Sequence, residues 1–269
     1  MGFSQPADSL PVLEERSGAV VTVRLNRPAK LNALNPEMCR ALADALVRAA
    51  KEKSVRAVVL TGTGRAFSAG GDVEYMRDAR ARKAVAELDE LLAVGKEICL
   101  AIASMPKVVI AAVNGPAAGA GMSLALVCDL RIASEQASFT NAFARLGLYP
   151  DFGATYFLPR LVGLSRAAEL FYTGRTVSAA EACQMGLAGR VCPADTFEAE
   201  TRKVAEQMAS GPPVAYGELK RAMIGEARRE LEQALDEENR LQAHCFLSDD
   251  CAEGFAAFLE KRPPVFRGH

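Results

Sequence analysis

Runs of aliphatic and β-branched residues constrain this chain more than any other feature. Arg56-Ala57-Val58-Val59-Leu60-Thr61 and Val108-Val109-Ile110-Ala111-Ala112-Val113 are apolar in succession rather than in alternation. A strand with that pattern is buried on both faces of its sheet, as in parallel sheets covered by helices. Val20-Val21-Thr22-Val23-Arg24-Leu25 is a further β-branched run, ended by Asn26-Arg27-Pro28, and Leu130-Arg131-Ile132-Ala133 is a shorter one. Helical patterns fall between them. Asn35 is placed as an N-cap with Pro36 at the first helical position. Met38, Leu42, Ala45, Leu46 and Ala49 then form an apolar stripe at helical spacing. Further helices are predicted over roughly 80–104 and 120–127. Alternating strands and helices specify βαβ units and an α/β fold.

Beyond about residue 164 strand signals nearly vanish. Ser178-Ala179-Ala180-Glu181 has the form of a capping box. Residues 196–210 read as one helix, and 213–260 as helical with Glu- and Arg-rich faces. The expected organisation is an α/β core over residues 1–195 followed by a helical region over 196–269.

Composition narrows the function. The 269 residues include 32 Lys and Arg against 33 Asp and Glu, a balance unlike that of a general nucleic-acid binder. The seven cysteines are scattered, with no C-x-x-C pair, and read as small buried hydrophobes in a reducing compartment. His244 and His269 are the only histidines, so no metal site is expected. The N-terminus shows no basic segment followed by an apolar run, and the longest apolar stretch, Val108 to Val113, is far too short to span a bilayer. A cytoplasmic protein is the expectation.

Two glycine-rich loops each follow a buried strand. The first runs from Thr61-Gly62-Thr63-Gly64 to Ser68-Ala69-Gly70-Gly71-Asp72; the second, Asn114-Gly115-Pro116-Ala117-Ala118-Gly119-Ala120-Gly121, leads into an apolar helix. Taken singly, either is readily a tight crossover turn. Neither fits the phosphate-binding pattern G-x-x-x-x-G-K-S/T, and the first is only half of a dinucleotide fingerprint. Taken together, amides from two strand ends can converge on one oxygen, the arrangement that stabilises an oxyanion.

Here the residues carry a resemblance. Ala66-Phe67-Ser68-Ala69-Gly70-Gly71-Asp72, Lys107 through Gly115, Cys128-Asp129-Leu130-Arg131-Ile132-Ala133, Leu158-Pro159-Arg160-Leu161-Val162-Gly163, Tyr172-Thr173-Gly174-Arg175 and Gly254 through Arg262 resemble the crotonase, or enoyl-CoA hydratase/isomerase, superfamily. The likeness covers roughly residues 12–267 in consistent order. It is closest to the ring-1,2-epoxyphenylacetyl-CoA isomerase-like members. It implies a ββα spiral core with a helical C-terminal trimerisation region, and a homotrimer or homohexamer. The implied substrate is an acyl-CoA thioester, with coenzyme A entering as part of it and no separate cofactor.

The resemblance also implies roles. The N–H groups of Gly71 and Ala120 would hold the thioester oxygen. Lys30, Leu31 and Ala33 match the CoA-binding turn after the first strand, and Ala69, Asp72 and Val73 the adenine end. Phe258 and Lys261 match C-terminal positions that reach a nucleotide. Plain structural readings compete: Lys30 and Lys261 as surface lysines, Asp72 as a brace for its loop. The two glutamates of the hydratases fall on Ser123 and Phe143, which cannot supply two acid/base groups. Asp151, in Tyr149-Pro150-Asp151-Phe152-Gly153, matches the proton-transferring aspartate of the isomerases, with Pro-Asp-x-Gly turn chemistry as its rival. Glu74 is the second choice of carboxylate, with Tyr75 and Met76 beside it in the acyl pocket. Phe143, Leu148, Tyr149 and Phe152 read either as pocket walls or as core. Asp129 and Arg131 read as structural.

An enoyl-CoA isomerase shifting a Δ3 double bond to Δ2 is therefore the first expectation. A hydratase of altered mechanism, or a non-catalytic CoA-binding protein, is the alternative. A dehalogenase is disfavoured because the chain has no Trp and no His near Asp151.

Overall fold

A computed structural model describes residues 10–224 and 227–269. Its main sheet has six strands, β1 (Val12–Ser17), β2 (Val20–Leu25), β3 (Ala57–Gly62), β4 (Val108–Val113), β6 (Leu130–Ser134) and β9 (Arg190–Cys192), in the order β1-β2-β3-β4-β6-β9. β1 pairs antiparallel with β2; every other pairing is parallel, in register Val21↔Val58, Val58↔Val109, Ile110↔Leu130 and Ile132↔Arg190. Between them, β5 (Pro116–Ala118), β7 (Ser138–Thr140) and β8 (Thr176–Ser178) form a small second sheet.

The continuous apolar runs are explained by what covers each face. Successive side chains of a strand point to opposite sides. Val58, Leu60, Val109, Ala111 and Val113 join a large core with α1 (Pro36–Lys51) and α3 (Val85–Ser104). Ala57, Val59, Ile110, Ala112 and Ile132 pack instead with Phe197, Ala205 and Ala209 of α8 (Phe197–Ser210). α1 begins where the sequence placed it: Asn35 accepts a hydrogen bond from the Met38 N–H at 2.9 Å.

The helix predicted over roughly 80–104 is α3, and a further helix not read from sequence, α2 (Val73–Ala81), precedes it. Asp72 caps α2 by accepting from the Tyr75 N–H, and Lys83, with φ of 56°, turns the chain between the two. A loop-ending Asp thus does the work of a helix start, and the apolar pattern alone did not mark it. β1 also escaped the sequence reading because an edge strand with four exposed positions has no buried-strand pattern. β8 and β9 are only three residues each. The capping box at Ser178 is half formed: Ser178 accepts from the Glu181 N–H, while the Glu181 carboxylate pairs with Arg175. α4 (Ala120–Val127) agrees with expectation.

The C-terminal helical stretch resolves into α9 (Pro213–Ile224), α10 (Ala227–Leu247) and α11 (Asp249–Glu260). α9 is tied to the sheet by Lys220, which is buried and donates to Asp129 at 2.6 Å and to the Lys107 carbonyl. Asp129 and Arg131 are structural, as expected: Asp129 also accepts from the Val109 N–H, and Arg131 donates to the Cys128 and Leu187 carbonyls. α10 lies along α3, held by a Lys96–Asp236 ion pair and by Asn239 donating to the Leu92 carbonyl. Its Leu231, Leu235 and Phe246 belong to the main core. No helix among the described residues is long and apolar enough to cross a membrane.

α11 seats against a 3-10 turn (Phe143–Leu146) through Gly254, where an added Cβ would lie 2.4 Å from the Leu146 carbonyl oxygen. Backbone leaves no room to give. Gly254→Val is expected to lower stability by about 1–3 kcal/mol through overpacking, measured as a fall in the urea midpoint at unchanged slope.

Candidate active site

Two asparagines, the buried Asn32 and the half-buried Asn114, shape the first glycine loop. Asn32, with φ of 56°, donates to the Thr63 and Ala66 carbonyls, and Asn114 accepts from the Gly62 N–H while donating to the Gly64 carbonyl. The loop then runs beside Leu34: the Leu34 N–H donates to Gly70 O, and the Asp72 N–H to Leu34 O. In a parallel bridge of this kind the intervening N–H, that of Gly71, faces the other way. The second loop packs against the first at Gly70, where an added Cβ would lie 2.6 Å from the Ala118 carbonyl oxygen and 3.3 Å from the Ala120 nitrogen. Gly119 takes φ of 50° and hands the chain to α4, so Ala120 is the first helical residue, with its N–H outside the intrahelical ladder. The two amides named from sequence line one cavity of about 520 Å³.

Ala29 through Leu31, Ala33, Ala69, Asp72 and Val73 line one side of this cavity; Leu88, Leu91, Leu92 and Met76 form an aliphatic wall; Phe143, Leu148, Asp151 and Phe152 close the interior; and Phe246, Phe258 and Leu259 complete the lining from α10 and α11. The structure thus gathers most of the residues singled out from sequence. Ser123 and Lys261 do not line it. Ser123 is fully buried and its hydroxyl donates back to the Gly119 carbonyl of its own helix. Lys261 is exposed, in the left-handed cap that ends α11. Tyr75 points away to donate to Glu87, and Tyr149 is also off the wall. A second cleft of about 550 Å³, between β2 and α8, is rimmed by charged side chains and includes none of Gly71, Ala120 or Asp151.

Three carboxylates line the site, in different electrostatic states. Asp72 pairs with Arg27 at 2.9 Å besides capping α2, which makes it the brace of its loop. Glu74 sits at the exposed mouth in a 2.7 Å pair with Lys30. Asp151 is buried and, among the described residues, has no cation on it: Oδ2 accepts a 3.0 Å bond from Gln242 Nε2, and Oδ1 has no partner. Burial pushes its carboxyl up to about 7, with the Gln242 bond working against that rise and the nearby Glu238 carboxylate adding to it.

The turn that presents Asp151 is strained. Phe152 has φ of 53° and Gly153 φ of 79°, so a bulky residue occupies the left-handed region, at a cost of order 1–2 kcal/mol. Packing and hydrogen bonds over-determine it. The Phe152 ring lies over Gly95 of α3, where any Cβ would be 2.5 Å away. Glu238, itself buried, accepts from the Gly153 N–H at 2.7 Å and from the Thr155 N–H at 2.8 Å, as well as from the Thr155 hydroxyl. Burial raises Glu238 to about 6.

Glu238 and Gln242 were missed from sequence. Their signal was present: Leu231, Leu235, Glu238, Gln242 and Phe246 continue one buried stripe of α10, so two polar residues occupy core positions. A buried polar residue at a core position calls for a partner, and both partners belong to the Asp151 turn.

Comparison with known proteins shows the family of the chain. The family model described as enoyl-CoA hydratase/isomerase matches residues 15–269. A protein from Rhodobacter capsulatus described as a probable enoyl-CoA hydratase is 43% identical, over 94% of this chain and 96% of its own. The 1,2-epoxyphenylacetyl-CoA isomerase of Escherichia coli is 37% identical over 96% and 98%. The crystal structure of an enoyl-CoA hydratase from Mycobacterium avium subsp. paratuberculosis superposes with a TM-score of 0.87 at 37% identity, covering 96% of this chain and 98% of that one. The chain therefore belongs to the enoyl-CoA hydratase/isomerase family and has the crotonase fold.

A carboxyl raised from 3.8 to about 7 binds a proton in the folded state that the unfolded chain has already released. Between about pH 4 and pH 7 stability therefore falls as pH rises, and the loss is complete above 7. Asp151→Asn removes that charge while its carbonyl keeps the bond from Gln242. The variant is expected to be more stable than the parent by roughly 4 kcal/mol at pH 8 and by little at pH 4. Urea unfolding at the two pH values checks this.

Proposed function

We propose that this protein binds an acyl-CoA thioester, holds its carbonyl oxygen between the N–H groups of Gly71 and Ala120, and moves a double bond from Δ3 to Δ2. The observation that carries the reading is Asp151, which lines an apolar cavity, has one carboxylate oxygen without a partner among the described residues, and has its pKa raised towards neutrality. The other two carboxylates on the wall are occupied by Arg27 and Lys30.

The chemistry needs these parts and no others from the chain. Two N–H donors on the thioester oxygen stabilise the negative charge that develops when the α-carbon loses a proton. Asp151 Oδ1 takes that proton from C2; the electron pair delocalises over the thioester oxygen, C2 and C4 as a dienolate. The same oxygen then returns the proton at C4, and the double bond lies between C2 and C3. A base near pKa 7 is matched to both halves of this exchange. Phe143, Leu148 and Phe152 keep the cavity apolar, which sustains the raised pKa and favours moving a proton within the site over adding water. Lys30, Leu31, Ala33, Ala69, Asp72, Val73 and Phe258 lie along the same cavity from its mouth and suit the CoA part of the substrate.

A hydratase is the second reading, favoured by the name given to the Rhodobacter capsulatus relative. Adding water calls for a group to activate it and one to protonate carbon, and Ser123 and Phe143 supply neither. A homotrimer or homohexamer in the cytoplasm, with no cofactor besides the CoA of the substrate, completes the proposal.

Incubation with 3-enoyl-CoA and with 2-enoyl-CoA separates the readings. Isomerisation is expected, falling about a hundred- to ten-thousandfold in Asp151→Asn. Because protonated Asp151 cannot accept a proton, kcat/KM for isomerisation is expected to decline as pH drops below about 7. Hydration of 2-enoyl-CoA that survives Asp151→Asn would overturn the proposal.

A further inference from the structure

Two polar side chains from α10 reach the turn that carries Asp151, and the proposed reaction does not by itself require either. Gln242 makes two bonds of opposite sense. Its Oε1 accepts from the Tyr149 N–H at 3.0 Å, and its Nε2 donates to Asp151 Oδ2 at 3.0 Å. The first bond fixes the second: a backbone N–H can meet only the amide oxygen, so the NH₂ must face the carboxylate. Glu238, one helical turn earlier, grips the far side of the turn at Gly153 and Thr155. All three side chains are buried, and the strained backbone at Phe152 lies between the two grips.

We propose that Gln242 and Glu238 are positioning residues for the proton transfer, with Gln242 tying up Oδ2 so that Oδ1 alone faces the acyl chain, and Glu238 fixing the turn that aims it. This rests on the reading of Asp151 as the acid/base. A carboxylate with both oxygens free can rotate about its Cβ–Cγ bond and accept the proton along several directions. A carboxylate bonded at Oδ2 offers one oxygen in one direction, which suits taking a proton from C2 and returning it two carbons along the same face. The two residues also act oppositely on the charge. A donor on Oδ2 favours the carboxylate, whereas a second buried carboxylate nearby disfavours it.

The titratable groups facing Asp151 are Glu238 from α10, Cys99 from α3 and Cys39 from α1. Burial lifts both thiols far enough that they stay neutral across the working range, Cys39 to about 12. Among the described residues, Glu238 is left as the group whose charge acts on Asp151.

The test is isomerisation of 3-enoyl-CoA by Gln242→Met and Glu238→Gln across pH 5 to 9. Gln242→Met is expected to lower kcat roughly ten- to hundredfold with KM little changed, and to move the acid limb of the pH profile upward. Glu238→Gln is expected to move the limb downward. A merely structural role would shift neither limb, or both alike with loss of fold. Should Gln242→Met not fold, Gln242→Glu keeps an acceptor for Tyr149 and places a carboxylate beside Asp151; its limb should also move upward. Superimposable parent and variant profiles, with Asp151→Asn inactive, would overturn this inference and leave the role of Asp151 standing. Isomerisation that persists in Asp151→Asn would overturn both.

Discussion

Keeping a carboxylate out of water with no cation beside it is the constraint on which the site depends. Removing an ionised group from solvent is costly, and the group responds by holding its proton. Asp151 does so at a pH where the proton is still exchangeable, because one donor, Gln242, offsets part of the desolvation. The other two carboxylates on the wall each pair with a cation, Asp72 with Arg27 and Glu74 with Lys30. Three carboxylates on one wall thus have three fates, decided by burial and by pairing rather than by residue type.

The main sheet makes this possible at a distance. Its parallel strands are covered on both faces, and the two glycine loops leave β3 and β4 at the same edge. Small residues let the loops touch at Gly70 and bring the Gly71 and Ala120 amides to one cavity. From the opposite side, α3 contributes the leucine wall and the gap at Gly95 that admits the Phe152 ring. Gly71 and Ala120 stand where the two loops pack together, whereas Asp151 stands on a strained turn held by its neighbours.

How much of this was readable in sequence follows from how local each feature is. Strands β2, β3, β4 and β6 and the start of α1 were legible because their signals lie within a few residues: runs of aliphatics, an Asn-Pro cap. The edge strand β1 was not, since exposure on both sides removes the apolar pattern. Gly71, Ala120 and Asp151 were legible through ordered motifs shared with a family, and the cavity gathers them. Ser123 was placed correctly on α4, but its hydroxyl turns back to its own helix, a rotamer choice no spacing can show. Glu238 and Gln242 were hidden for another reason. On a charged helix, two more polar residues look like surface until one notes that Leu231, Leu235 and Phe246 place them on the buried stripe.

Gln242 and Asp151 are 91 residues apart, and Phe246, Phe258 and Leu259 close the same cavity from the end of the chain. A nascent chain that has folded its sheet but not yet docked α10 and α11 would carry an ordinary, solvated aspartate at position 151. Docking of α10 therefore supplies part of the burial of Asp151, together with its one hydrogen-bond donor. Long-range closure of this kind is slow relative to local structure. On the proposed role of Asp151, copies in which α10 has not docked would lack the surroundings that raise its carboxyl, so proton transfer would report that α10 is in place.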